Sequence, residues 1–175
     1  GLPAPAPARA GEPLLDYPEL AHDKRTKLEA LFRDFYKNGD HFDFRRFRAE
    51  GGVSLERHCR FEALHEAALA HDPEAWPFWL WPEGWQDPDS AEVAAFAERN
   101  AERVAFFAFL QWLADRQLAD AQATARHHGM RLGLYRDLAV GVNPAGSRAW
   151  STKGLTVHGL AIGAPPDPLG PEGQN

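Results

Sequence analysis

Helical spacing governs most of this chain between Tyr17 and His128, and Gly129 ends it. Apolar side chains recur three and four residues apart, which collects them on one face of a 3.6-residue helix. Leu28, Leu31, Phe32 and Phe35 make such a face. A helix is predicted over Tyr17–Lys37, with Asp16 as N-cap, Pro18 in the first turn and Gly39 past the end. A shorter helix follows around Phe42–Ala49 and is stopped by Gly51-Gly52. Ser54 is expected to cap a third, whose apolar residues are Leu55, Cys59, Phe61, Leu64 and Ala68 and which ends before Asp72-Pro73. Pro88 is placed at a first helical position, and the helical pattern then runs from Ser90 to His128. That is long for one globular helix, so a bend or break is expected near Asn100. Inside it, "FFAFLQWL" is strongly apolar and expected to be buried.

Past Gly129, a C′ residue by its position, the texture changes. In "MRLGLYRDLAVGV" (Met130 to Val142), Met130, Leu132 and Leu134 alternate with Arg131, Gly133 and Tyr135. That period predicts a strand. Asp137 then sits at the end of the strand, where open and barrel α/β sheets deliver functional side chains. Helix, glycine cap and strand make half of a βαβ unit, so the predicted class is α/β. One strand cannot make a sheet, so either its neighbours lie outside this chain, the favoured reading, or strands are hidden among the predicted helices.

Composition narrows the partners. The 175 residues are 44% hydrophobic and 25% charged, a globular balance for one domain. The net charge is −6, which argues against nucleic acid or an anionic membrane as partner; "RRFR" at Arg45 to Arg48 is too short a cluster to change this. The single cysteine, Cys59, forms no internal disulfide or cysteine zinc site, which favours the cytoplasm. No apolar run is long enough for a membrane span, and the first residues do not read as a signal peptide. Gly1–Pro13 is rich in Pro, Ala and Gly and reads as a linker or extended loop. "AWPFWLWPEGW" (Ala75 to Trp85) is kept irregular by Pro77 and Pro82. Its four tryptophans either pack between helices, the favoured reading, or offer a stacking surface.

The last residues, "GAPPDPLGPEGQN" (Gly163 to Asn175), form a loop dense in proline and glycine. Pro165 and Pro166 fix φ, so the backbone that presents Asp167 is pre-organised. A carboxylate accepts well from vicinal sugar hydroxyls, and Gln174 offers both donor and acceptor. The competing reading is a rigid turn with a solvated aspartate.

"QWLADRQLADAQATARHHGMRLGLYRDLAVGV" (Gln111 to Val142), this final loop, and "LDYPELAHDKRTKLEALF" (Leu15 to Phe32) together resemble the 4-alpha-glucanotransferases, or amylomaltases. The resemblance implies a (β/α)8 barrel with helical insertions that transfers malto-oligosaccharide between α-1,4-glucans with retention, without a cofactor. It divides the chain into a linker over 1–14, a helical insertion over 15–128, and a barrel strand with its substrate loop over 129–175. Retaining transfer needs a carboxylate nucleophile and a carboxylic acid close together, and by resemblance both lie on later strands, so no catalytic residue is assigned here. By the same resemblance Asp137, Asp167 and Gln174 are substrate-binding, and the family's text continues into Trp-Gly after Gln-Asn. The chain is therefore expected to be a piece of a larger enzyme, with the remainder of the barrel as its partner. Two departures are visible: the neighbours of Trp150 are atypical, and Pro168-Leu169 follows Asp167 where relatives carry aromatics.

A different class is also open, a helical interaction or glycan-binding module without chemistry. Glu19-His22 and Glu62-His65 have the Glu-x-x-His spacing of di-metal bundles, with Glu98 or Glu102 as further ligands. Glu19 lies in a fraying first turn, and such pairs arise by chance on solvated faces, so no metal is assigned. His127-His128 suits a helix C-terminus, where positive charge is favoured. His158 lies in the loop region, with nothing specific to tie it to a sugar. Cys59 has no base beyond adjacent His58, which a helix points elsewhere. No phosphate-cradling or dinucleotide glycine motif is present.

Overall fold

The computed structural model describes residues 16–39, 41–137, 141–153, 163–168 and 170–173. Five α-helices carry these residues: α1 (Tyr17–Lys37), α2 (Phe42–His71), α3 (Ala91–Arg99), α4 (Ala101–His127) and α5 (Ser147–Ser151). Two single 3-10 turns, Phe78–Leu80 and Glu83–Trp85, bridge α2 to α3.

The first helix begins and ends as its sequence dictates. The Asp16 side chain accepts from the Glu19 amide at 3.0 Å, Pro18 sits in the first turn, and Gly39 turns away at φ +100°. Such a φ strains any residue with a Cβ. The glycine pair breaks the next stretch: α2 runs on to His71, but Gly52, at φ 52° and ψ −145°, is non-helical inside it. Ser54, expected as a cap, lies within the resumed helix. Asn100, at φ −116° and ψ 30°, separates α3 from α4, and its side-chain amide donates to the Phe96 carbonyl. Pro88 precedes α3 and is not its first residue; Ser90 is the cap and accepts from the Val93 amide at 3.1 Å. Gly129 follows α4 at φ +84°.

The core lies where α4 crosses α2 and α1. Val104 to Phe109 are all buried, so this part of α4 is apolar on every side. A helix that is hydrophobic all round is a core helix. Phe32 of α1 stands 5.5 Å from Phe106 and 5.4 Å from Phe109 between ring centroids. Leu64 and Cys59 of α2 are fully enclosed. Each such apolar side chain contributes about 1.5–3 kcal/mol by leaving water. One ion cluster ties the three helices at their edge: Arg103 of α4 meets Glu29 of α1 at 2.9 Å and Glu66 of α2 at 2.5 Å, and Arg25 of α1 also reaches Glu66. Burial pulls the Arg103 guanidinium down, but hydrogen bonds to Glu66 and Glu29 outweigh it, and Arg103 titrates above the usual arginine value.

Burial, reinforced by Glu56, pushes the Cys59 thiol up to about 12. The thiolate is the reactive form. Folded protein is therefore expected to leave a disulfide reagent such as DTNB unreacted at neutral pH, with one thiol appearing on denaturation. Stoichiometric reaction before unfolding would show that the α2–α4 core opens readily.

The strand expected over Met130–Val142 is not formed in the described part of that segment. Residues 130–137 and 141–142 are irregular, and among the described residues extended pairing is limited to a bridge position at Ala164. Two causes are visible. Gly133 takes φ +73°, which breaks the alternation. The Gln122 side chain of α4 also takes the backbone groups a partner strand would use, accepting from the Leu134 amide at 2.7 Å and donating to the Leu132 carbonyl. Tyr135, Leu132 and Met130 stay exposed.

Candidate functional site

The proline-rich loop owes its shape to its own backbone. Asp167 and Gly170 exchange amide and carbonyl, at 3.1 and 3.2 Å, and the Gly173 amide donates to the Gly170 carbonyl at 2.9 Å. Gly173 is at φ +73°, and a Cβ there would lie 2.7 Å from the Ala164 carbonyl oxygen. Only glycine lets the end of the loop fold back on its start. The Asp167 carboxylate is part of this turn: one oxygen accepts from the Gly170 amide at 2.6 Å. The residue is nonetheless exposed.

Asp137 is exposed at the end of the irregular segment that Gln122 pins to α4. Gln174 lies outside the described residues. The structure therefore gives a place to two of the three predicted substrate residues, one in each of two separate segments.

Between those segments lies an element that periodicity did not reveal. Asn143-Pro144 opens a turn in which the Asn143 side chain accepts from the Ala145 amide, and α5 follows. Trp150 plugs α5 into the helical body: it is 1% exposed, its ring lies 5.7 Å from Phe61, and its indole N–H donates to the Trp85 carbonyl at 2.9 Å. Arg57 of α2 donates to the Ser151 carbonyl at 2.9 Å and forks onto both Asp89 oxygens, while Lys153 meets Asp87 at 3.0 Å. The Asp89 amide and Lys153 hold the Asp87 carboxyl below the usual range. The signal for α5 was the Asn-Pro turn dipeptide before a Ser and a Trp.

The tryptophan-rich stretch divides. Trp81 is buried, with its N–H on the Ala75 carbonyl, and Trp85 packs edge-on to Phe96. Gln86 ties the turn by donating to the Trp79 and Trp81 carbonyls. Trp76 and Trp79 each keep about half their surface in water, at 48%. Packing between helices thus holds for Trp81 and Trp85. The Glu62-His65 pair is occupied otherwise. His65 lies among Phe61, Trp81 and Trp76, and Glu62 stands 3.9 Å from His58. Among the described residues no three His, Cys, Asp or Glu side chains gather into a metal-binding group, and no helix is long and apolar enough to cross a membrane.

Comparison with known proteins supplies what this geometry leaves open. Residues 5–175 match the family described as 4-alpha-glucanotransferase. The chain belongs to that family. Among its relatives, the 4-alpha-glucanotransferase of Mycobacterium tuberculosis (strain H37Rv) is 36% identical over 152 residues, covering 87% of this chain and 20% of the relative. That of Haemophilus influenzae is 36% identical over 171 residues, covering 92% of this chain and 24% of the relative. A more distant one, from Chlamydia pneumoniae, is 28% identical over 109 residues. The chain thus spans a fifth to a quarter of the length of these two relatives.

Proposed function

We propose that this chain is the helical, substrate-lining portion of a cytoplasmic 4-alpha-glucanotransferase that moves segments of α-1,4-glucan between maltodextrins with retention. The observation that carries this reading is the family match over nearly the whole chain. In it, residues 15–128 are a helical insertion on a (β/α)8 barrel, 1–14 a linker, and 129–175 a barrel strand and substrate loop. The irregular form of 130–137 is compatible with this, because an edge without neighbouring strands has no ladder to join. Asp137, Asp167 and Gln174 would accept from or donate to sugar hydroxyls. Such bonds fix the glucan relative to the reacting carbon and contribute by orientation. The glycosyl-enzyme ester and the proton to the leaving oxygen come from two carboxyl groups elsewhere in the barrel, and the partner of this chain is that remainder. No cofactor is assigned.

The test is product analysis with maltotriose. A protein of the relatives' length carrying this chain should yield glucose together with a ladder of longer maltodextrins, and the 175-residue chain alone should yield neither. A ladder from the chain alone would overturn the placement of the catalytic acids. Inactivity of the long protein would overturn the function and leave the non-catalytic glycan-binding module as the reading.

A further inference from the structure

A cleft of about 520 Å3 opens between the Gly52 bend of α2 and the short helix α5. Ser54, Arg57, His58, Ser147, Arg148 and Thr152 line it, and no lining residue is acidic. That is a local reversal in a chain of net charge −6. The donors are held in place. Arg57 is fixed by the Ser151 carbonyl and by both oxygens of Asp89, and His58 Nδ1 pairs with the Ser147 hydroxyl at 2.9 Å. The nearby acids are Asp89, which balances Arg57, and Glu62, 3.9 Å from His58 Nδ1. Arg148 is exposed and makes no ion pair with the described residues, so its charge is the uncompensated one.

We infer that this cleft binds the phosphoryl group of a small molecule, a site distinct from the proline-rich loop. A guanidinium donates only, whereas a neutral sugar presents as many donors as acceptors. The uncompensated Arg148 guanidinium, with the remaining N–H groups of Arg57 and the Ser54 hydroxyl beside it, therefore selects a ligand rich in acceptors and negatively charged. A planar guanidinium fork matches phosphoryl oxygens, and the Ser54 hydroxyl adds a donor to their coordination. The volume exceeds that of a bare phosphate ion and leaves room for a group the size of a hexose. The site would give the protein a way to sense phosphorylated sugar.

Titration calorimetry of the 175-residue chain with inorganic phosphate, glucose 6-phosphate and glucose tests this. Both phosphates should bind, more weakly at high salt, and glucose should not. Tighter binding of glucose 6-phosphate than of phosphate identifies a phosphosugar as the ligand, and the reverse order identifies the free anion. Arg148→Gln removes a charge-assisted contact and should weaken phosphate binding about ten- to hundredfold. Arg33→Gln, in a separate cleft beside Arg103, should change nothing. Ser54→Ala provides a second, milder variant with a severalfold loss. Absence of phosphate binding to the parent, equal affinity in parent and Arg148→Gln, or glucose binding as well as glucose 6-phosphate would each overturn the site.

Discussion

Replacing Trp150 by alanine is expected to destabilise the protein by about 3–5 kcal/mol, the range for truncating a buried large aromatic side chain. The residue is 1% exposed, and its removal leaves a cavity between Phe61 and the Trp85 turn. It also leaves the Trp85 carbonyl without its indole donor, an added cost where the group stays dry. Trp150 is the largest buried side chain of α5, and the polar ties of this region, Arg57 to Ser151, His58 to Ser147 and Lys153 to Asp87, lie at partly or fully exposed positions. Denaturant melts followed by fluorescence and by far-ultraviolet dichroism measure the effect. Trp150→Phe keeps most of the volume but loses the N–H, and should fall between parent and alanine variant. A loss below about 1 kcal/mol for Trp150→Ala would mean that α5 is not docked as described.

Asp167→Ala, made in a protein of the relatives' length, is expected to lower kcat/KM for maltotriose transfer about ten- to hundredfold. This corresponds to losing a charge-assisted hydrogen bond of about 1.5–3 kcal/mol to a sugar hydroxyl. The structure adds a structural duty to that carboxylate, because one of its oxygens accepts from the Gly170 amide. Alanine removes both roles, whereas Asp167→Asn keeps a neutral acceptor for the turn and loses the charge. If the residue binds substrate, both variants lose activity while the asparagine variant keeps the parent melting temperature. If it serves only the turn, asparagine restores activity and alanine costs stability. Unchanged kcat/KM in both would sink the binding role.

Much of the helical part was legible in the sequence because local chemistry specified it. Asp16, Pro18 and Gly39 fix the ends of α1, Gly52 and Asn100 mark the breaks, and Gly129 stops α4. Each acts through φ or through capping hydrogen bonds, which neighbours in sequence largely determine. The segment after Gly129 takes no strand form among the described residues for the opposite reason. Alternation predicts which face a strand would bury, but a strand also needs a partner. Among the described residues the Gln122 side chain and the turn at Gly133 supply what Met130 to Tyr135 can use. The docking of Trp150, which is far from Phe61 in sequence, had no local signature at all. The positively lined cleft was illegible too, since Arg57 and Arg148 meet only when α5 folds back on α2.

The central claim, that this chain serves a retaining transfer and not a hydrolysis, is tested most directly by the anomeric proton signals of maltotriose during incubation with a protein of the relatives' length. Transfer with retention conserves the total of α-1,4 linkages while free glucose and longer chains appear, and every new linkage carries the α configuration. A steady fall in α-linkage signal as glucose accumulates, or new linkages of β configuration, would contradict it.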